Sequence, residues 1–566
     1  MNNAMDPIAR DRELLAEARG KGRGAMLRAF VRLSGPGWLQ SAITLGGGSL
    51  ASSLYLGVLA GASLLWLQPF AMILGVIMLS AIGYVTLSTG ERPFGAINRH
   101  VNPVLGWGWI IATMMANLVW SMPQFSLGVG ALRQNLFPVL DRPEVIQPNL
   151  SMALCSGCIL MVCLLVTLFY DRGSRGVKLF EAILKMMVGV IVLCFFGVVV
   201  RMSWEGVIDW RAIFSGLVPD LRMLSQPART FAPYLAEMDE SARAFWSGMI
   251  VSQQRDVMIS AAATAVGINM TFLLPYSMLR KGWDRNFRGL AIFDLSTGLF
   301  VPFVLATGMV VIASASQFHT KAQPGLVEPL PGVTVKGNLV ADYNKLLSAR
   351  IASQLGAGAP AEAAAAARQA LPRQEKTMAA MLVKRDAFNL ADALTPLIGS
   401  EFAQYVFGVG VVAMVVSSII MLMMINGFVL CEMLNVPSRG KWFRIGAVMP
   451  GIGVIAPFVW GTQRAQFWLA IPASVFAMTL IFIAYWTFFF MMNSRTLLGE
   501  DRPTGARRLR WNLLMLIAAG AASAGSFWVI WSKARWIGVL VLAAFLGLTL
   551  IAHLVRQAKR ARSERA

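Results

Sequence analysis

The sequence predicts an all-α integral membrane protein, and three observations carry that reading. Composition is the first. Hydrophobic residues make up 56% of the 566-residue chain and charged residues only 14%, with a mean hydropathy of +0.61. A chain with so little charge does not fold as an ordinary globular domain in water. The second observation is length. Apolar runs long enough to cross a bilayer recur about twelve times. They lie near 36–64, 66–88, 104–126, 149–170, 179–200, 253–279, 290–317, 401–432, 444–461, 466–492, 511–532 and 536–557. The third is the placement of charge. Basic residues gather in alternate connections, as in Arg92 and Arg99, Arg172 and Lys178, Arg280 to Arg288, and Arg495 to Arg510. The positive-inside rule sets those connections and both basic termini in the cytoplasm.

The formal charge of +21 would suggest nucleic acid in a soluble chain. Here the basic residues flank membrane spans, so nucleic acid is excluded as a partner. The first 30 or so residues are polar and basic, and no cleavable signal peptide is visible. The expected location is the plasma (inner) membrane, with many crossings.

The first span carries the most informative stretch, GPGWLQSAITLGGGSLASSLYLG, from Gly35 to Gly57. Pro36 after Ser34 starts a helix. The run then meets Gly46, Gly47 and Gly48, followed by Ser49. Each glycine costs roughly 1 kcal/mol of helix propensity. A triplet therefore predicts a break, with backbone groups exposed at mid-depth. Lipid does not tolerate such groups, but a polar cavity does. Span six has its own interruption: Gly267, Asn269 and Thr271, with Pro275 a turn later. Broken helices at matching positions in two halves point to inverted repeats that enclose a substrate site. The competing reading of the triplet is a close-packing face between unbroken helices.

The expected organisation follows the spans. Residues 1–32 form a basic cytosolic tail, 33–201 the first five-helix repeat and 202–252 an external segment. Residues 253–494 form the second repeat, with an external insertion at 319–400. Two further helices and a basic tail occupy 495–566. The external segments offer surface for a partner.

Several stretches resemble the Nramp family of divalent metal transporters. GPGWLQ and SLLWLQ resemble the family's first span, and TGERPFGAINRHVNPVLGW its second cytosolic connection. RGSRGVKLFEAILKMM resembles the start of span five, ADALTPLIGSEFAQYVFGVGVVAMVVSS the start of span eight, and NSRTLLG the end of span ten. The resemblance covers roughly 33–317 and 386–499. It implies a LeuT-like fold: two inverted five-helix repeats plus two C-terminal helices, with helices 1 and 6 broken.

At the family's metal site this chain departs from the pattern. The resemblance implies Asp-Pro-Gly-Asn at the first break, and here those positions hold Gly46, Gly47, Gly48 and Ser49. The family's Met-Pro-His falls near Asn269, Met270 and Thr271, and a slip of one residue would put Met270 at the methionine position. The imidazole is missing in either register. Acids that the family links to proton passage fall near Met122 to Phe125, where Gln124 is the nearest polar residue.

The expected site is therefore Gly46, Gly47, Gly48, Ser49, Gly267, Asn269, Met270 and Thr271, with no metal ligand set. Hydroxyls and carbonyls alone bind first-row dications poorly. No cofactor is expected, and no nucleotide loop or catalytic triad argues for an enzyme. The expected partners are the bilayer and a small ion or small molecule. Three functions stay open: a transporter of metal-ion class with a remodelled site, a carrier of a small neutral or organic solute, and a non-transporting scaffold or sensor. Among other polar residues, Asn117 and Asn426 are expected to bond between helices. Glu181 and Lys185 are expected to pair along one helix face, and Glu401 and Glu432 to be solvated at span ends.

Overall fold

The computed structural model describes residues 7–170, 174–332, 335–356, 358–399, 402–459 and 470–563. Arg172 and Glu401, singled out above, lie outside them. Among the described residues every regular element is helical. Two short helices, α1 (Pro7–Lys21) and α2 (Arg23–Leu33), precede the bundle. The bundle then runs through α3 (Pro36–Thr44), α4 (Gly47–Ala60), α5 (Leu67–Thr89), α6 (Pro103–Ala131), α7 (Pro148–Tyr170) and α8 (Ser174–Trp204). The second half begins with α9 (Glu240–Ala265), α10 (Ile268–Arg280) and α11 (Arg285–Phe318). It continues with α12 (Phe407–Met433), α13 (Lys441–Val459) and α14 (Ala470–Asn493), and α15 (Gly505–Val529) and α16 (Arg535–Ser563) follow.

Counting α3 and α4 as one bent span gives up to 11 apolar helices able to cross a membrane. The 54-residue run Gly505–Ala558 folds back at Arg535, which sits at φ 50, so it counts twice and the total among the described residues reaches about twelve. Helix α9 starts at Glu240, capped by the Asp239 side chain on Ala242 N–H, well before the apolar run at 253. Among the described residues, 319–400 carries four helices, one of 19 residues and three of 10 to 12.

Ion pairs and hydrogen bonds gather the basic connections onto one face of the bundle. Arg12 pairs with Asp284, Arg92 with Glu432 and Arg288 with Asp501. Glu181 does not pair with Lys185 along α8. It bonds Lys281 at 3.0 Å, and Lys185 Nζ instead donates to Ser34 O at 2.8 Å. Two neighbouring elements supply better partners than the next turn of the same helix. Glu432 is likewise not solvated. It is 7% exposed and held by Arg92 at 2.9 Å. Asn117 Nδ2 donates to Asn426 Oδ1 at 2.8 Å, joining α6 to α12 as the sequence suggests.

The same face fixes the start of α3. Asp294, buried in α11, accepts from Ser34 Oγ, from Gly35 N–H at 3.1 Å and from Gly37 N–H at 2.6 Å. A carboxylate there satisfies two of the orphan donors of a helix start and complements its dipole. A Cβ on Gly37 would collide with the Asp294 carbonyl, so glycine is needed for the approach. Removing the carboxylate with Asp294→Ala leaves buried N–H groups unpaired. We expect a loss of about 1–3 kcal/mol, seen as a lower unfolding midpoint in detergent, with Asp294→Asn falling between the two.

On the opposite face, the end of α4 is pinned by His319. Its Nδ1 meets Val58 O at 2.9 Å and its Nε2 meets Thr230 Oγ1 at 2.6 Å, with Phe231 edge-on. Burial pushes the imidazole below its ordinary value of 6.5. The folded chain thus resists a proton that the unfolded chain accepts. The stability this contact adds is present above about pH 6.5 and lost as pH falls toward the lower folded value. The melting temperature should therefore drop between about pH 7.5 and 5.5, and His319→Gln should flatten that drop.

Candidate functional site

The two breaks are unequal. Between α3 and α4 the chain bends by 58°. The break falls at Leu45–Gly46, not across the triplet: Gly46 caps α4, and Gly47 and Gly48 lie in its first turn. In span six the helix ends at Ala265 and restarts at Ile268, with Val266 and Gly267 extended between. Pro275 does not make this break. It sits inside α10, about two turns past the restart.

The breaks lie against each other. Thr44 Oγ1, at the end of α3, donates to Met270 Sδ at 3.0 Å. Thr44, which the sequence did not single out, makes this contact; the predicted residues Gly46 to Ser49 and Gly267 to Thr271 flank it, all buried except half-buried Gly267.

The Ser49 and Thr271 hydroxyls and the Asn269 carbonyl oxygen are already used. Ser49 Oγ donates to Gly46 O at 2.8 Å and accepts from Gly46 N–H at 3.1 Å, closing the α4 start on itself. Asn269 Oδ1 accepts from Met270 N–H at 2.9 Å. Thr271 Oγ1 donates to Ile268 O at 2.5 Å and accepts from Trp109 Nε1 at 3.0 Å. Ser418 Oγ on α12 lies 3.4 Å from both Ala42 O and Ile43 O, the carbonyls that the bend turns outward.

Gln124 on α6 is the residue whose weight the sequence alone did not reveal. Gly47 N–H donates to its Oε1 at 2.9 Å. That bond fixes which way the amide points. Its Nε2 is left buried with no partner among the described residues, 3.4 Å from where a Gly46 Cβ would stand. Gln40, on the same face of α3 as Thr44 one turn earlier, has both amide atoms buried and unpartnered. Ser418 and Gln40 gave no motif signal. Asp294 is missed from the sequence, although an acid inside the apolar run of span seven is a signal that could have found it.

The glycines also serve close packing. A Cβ on Gly46 would strike Ser418 Oγ, one on Gly47 would meet Leu127 at 2.9 Å, and one on Gly48 would meet Trp120 at 2.5 Å. The triplet thus answers to both readings: it marks the break, and it lets α6 and α12 press against it. Among the described residues no group of three His, Cys, Asp or Glu could hold a metal.

A helical bundle with its first and sixth spans interrupted at adjoining points is the architecture of the broken-helix secondary transporters. The family model for natural resistance-associated macrophage protein-like chains matches residues 37–330 and 363–532, and the chain belongs to the Nramp family. This is a family of membrane transporters that carry metal ions at the family level, and its fold is the LeuT-like pair of inverted repeats. The chain is similar to the crystal structure of the Eremococcus coleocola manganese transporter in complex with an aromatic bis-isothiourea substituted compound. Identity there is 13%, coverage 94% of this chain and 96% of that one, and the TM-score 0.61. A variant of the same transporter gives 13% identity, coverage of 93% and 95%, and a TM-score of 0.60. A search of curated proteins finds no match.

The packing sets a test. Gly46→Asp with Ser49→Asn restores the side chains that the family resemblance implies, but the new Asp would overlap Ser418. Overpacking of this kind costs about 1–3 kcal/mol. The double variant should melt lower than the parent, and adding Ser418→Ala should recover much of the loss. Equal melting of double and triple variants would show that Ser418 does not confine Gly46.

Proposed function

We propose that the chain is a secondary transporter whose carboxylate-free site takes a small uncharged solute bearing hydrogen-bond acceptors, not a transition-metal ion. Gln124 carries this reading. Its amide offers a buried N–H donor toward Gly46. A donor repels a cation and attracts a carbonyl, ether or hydroxyl oxygen. Ser49, Thr271 and Ser418 bond groups of the protein itself, and a dehydrated dication without a compensating carboxylate would be very costly at this depth. Met270 Sδ, the one soft atom, already accepts from Thr44. Proton coupling through span three has no acid to use near Gln124. Helix breaks that are retained and capped favour transport over a scaffold role, since an unbroken helix would satisfy the same groups locally. The basic face supports a plasma-membrane protein with cytoplasmic termini.

Calorimetry of the purified chain with Mn2+ should give no saturable heat at micromolar concentrations. Uptake into liposomes should favour small neutral solutes over Mn2+ and monovalent ions assayed in parallel, and Gln124→Leu should abolish it. A micromolar Mn2+ isotherm or saturable Mn2+ uptake would overturn the proposal.

A further inference from the structure

A cleft of about 1070 Å3 lies between α6, α14 and the C-terminal helices α15 and α16. Its walls are apolar, with Ile111, Met115, Val475, Leu480, Val541 and Phe545 among them. At one end it is lined by Gly108, Phe545 and Ile483. Asp256, Lys384 and Lys533 line it at the other end, with Tyr55 and Gln253. Along α14 it runs from Ile471 to Ile483, about 18 Å at 1.5 Å per residue. The hydrocarbon depth of one leaflet is about 15 Å.

The polar end carries more positive than negative charge. Lys384 and Lys533 line it against one lining carboxylate, Asp256; behind the lining, Asp342 and Lys345 lie near Lys384, and Asp342 and Asp386 near Arg385. All three carboxylates are engaged. Asp256 holds Lys533 at 2.7 Å, Asp342 accepts from Lys384 N–H at 2.7 Å, and Asp386 accepts from Asn389 N–H at 2.7 Å. Arg385, 1% exposed, stands behind the lining and donates through Nη1 to Gln323 Oε1 and through Nη2 to Lys321 O at 3.3 Å.

We propose that this cleft binds an anionic phospholipid, with one acyl chain along α14 and α16 and the phosphate at Lys384 and Lys533. The length fits one chain, and the surplus of cations fits one phosphate. Because Tyr55 lies two turns along α4 from the break and bonds Gln253 at 2.7 Å, the lipid touches the helix pair that frames the candidate site.

The test is native mass spectrometry of the delipidated full chain in detergent. It is titrated with phosphatidylglycerol, phosphatidylethanolamine and water-soluble glycerol phosphate. Phosphatidylglycerol should bind tightest. Lys384→Gln and Lys533→Gln should each weaken it about fivefold. Val541→Trp, at an exposed position on the cleft wall, should block both lipids at an unchanged melting temperature, and glycerol phosphate should not bind. Equal affinity for both lipids, or indifference to the lysine changes, would overturn the charge assignment. Indifference to Val541→Trp would overturn the cleft itself. If a lysine variant fails to fold, the ranking of the two lipids on the unaltered chain still decides the head-group claim.

Discussion

Breaking a helix inside a membrane bundle frees backbone N–H and C=O groups where no water is at hand, and the rest of this structure depends on how they are satisfied. Here the protein satisfies them itself. Gln124 takes the N–H of Gly47, Ser49 closes on Gly46, and Ser418 covers Ala42 and Ile43. These contacts draw α6 and α12 onto the break, and only glycine is small enough at the meeting points. Where the family pattern would place charge, this chain places neutral hydrogen bonds. A neutral site has no charge with which to attract or discharge a dication, and that is the physical root of the functional reading.

Much of the architecture was legible in the sequence, because the features that encode it are coarse. Spans announce themselves by apolar length, and the alternation of arginine-rich connections follows from crossing a membrane repeatedly. The first break was legible as well, since three consecutive glycines make a poor helix. Its position was off by about a residue because glycine tolerates the first turn of a helix once the preceding residue has ended the last one. Pro275 misled as well. It is the eighth residue of α10, past the orphan donors of the helix start, and the helix runs on through it with one backbone bond fewer.

Side-chain partnership was not legible. Glu181 with Lys185 is the local choice, and the chain instead joins them to Lys281 and Ser34. Glu432 meets an arginine 340 positions away. Spacing along one helix cannot report what a neighbouring helix brings to it. The same holds for Gln124. From the sequence it is the nearest polar residue to a missing acid, and only the Gly47 N–H shows which end of its amide is left over.

The shortness of α3 has a mechanical consequence. Nine residues span about 13.5 Å, with the bend at Leu45 at one end and Asp294 gripping the other. Swinging the rod by about 10° about Leu45 would carry its start by about 2.4 Å. That displacement is enough to part Ser34, Gly35 and Gly37 from the one carboxylate together. Three bonds that share one acceptor are strained together, so a single carboxylate holds the start of the rod against tilting.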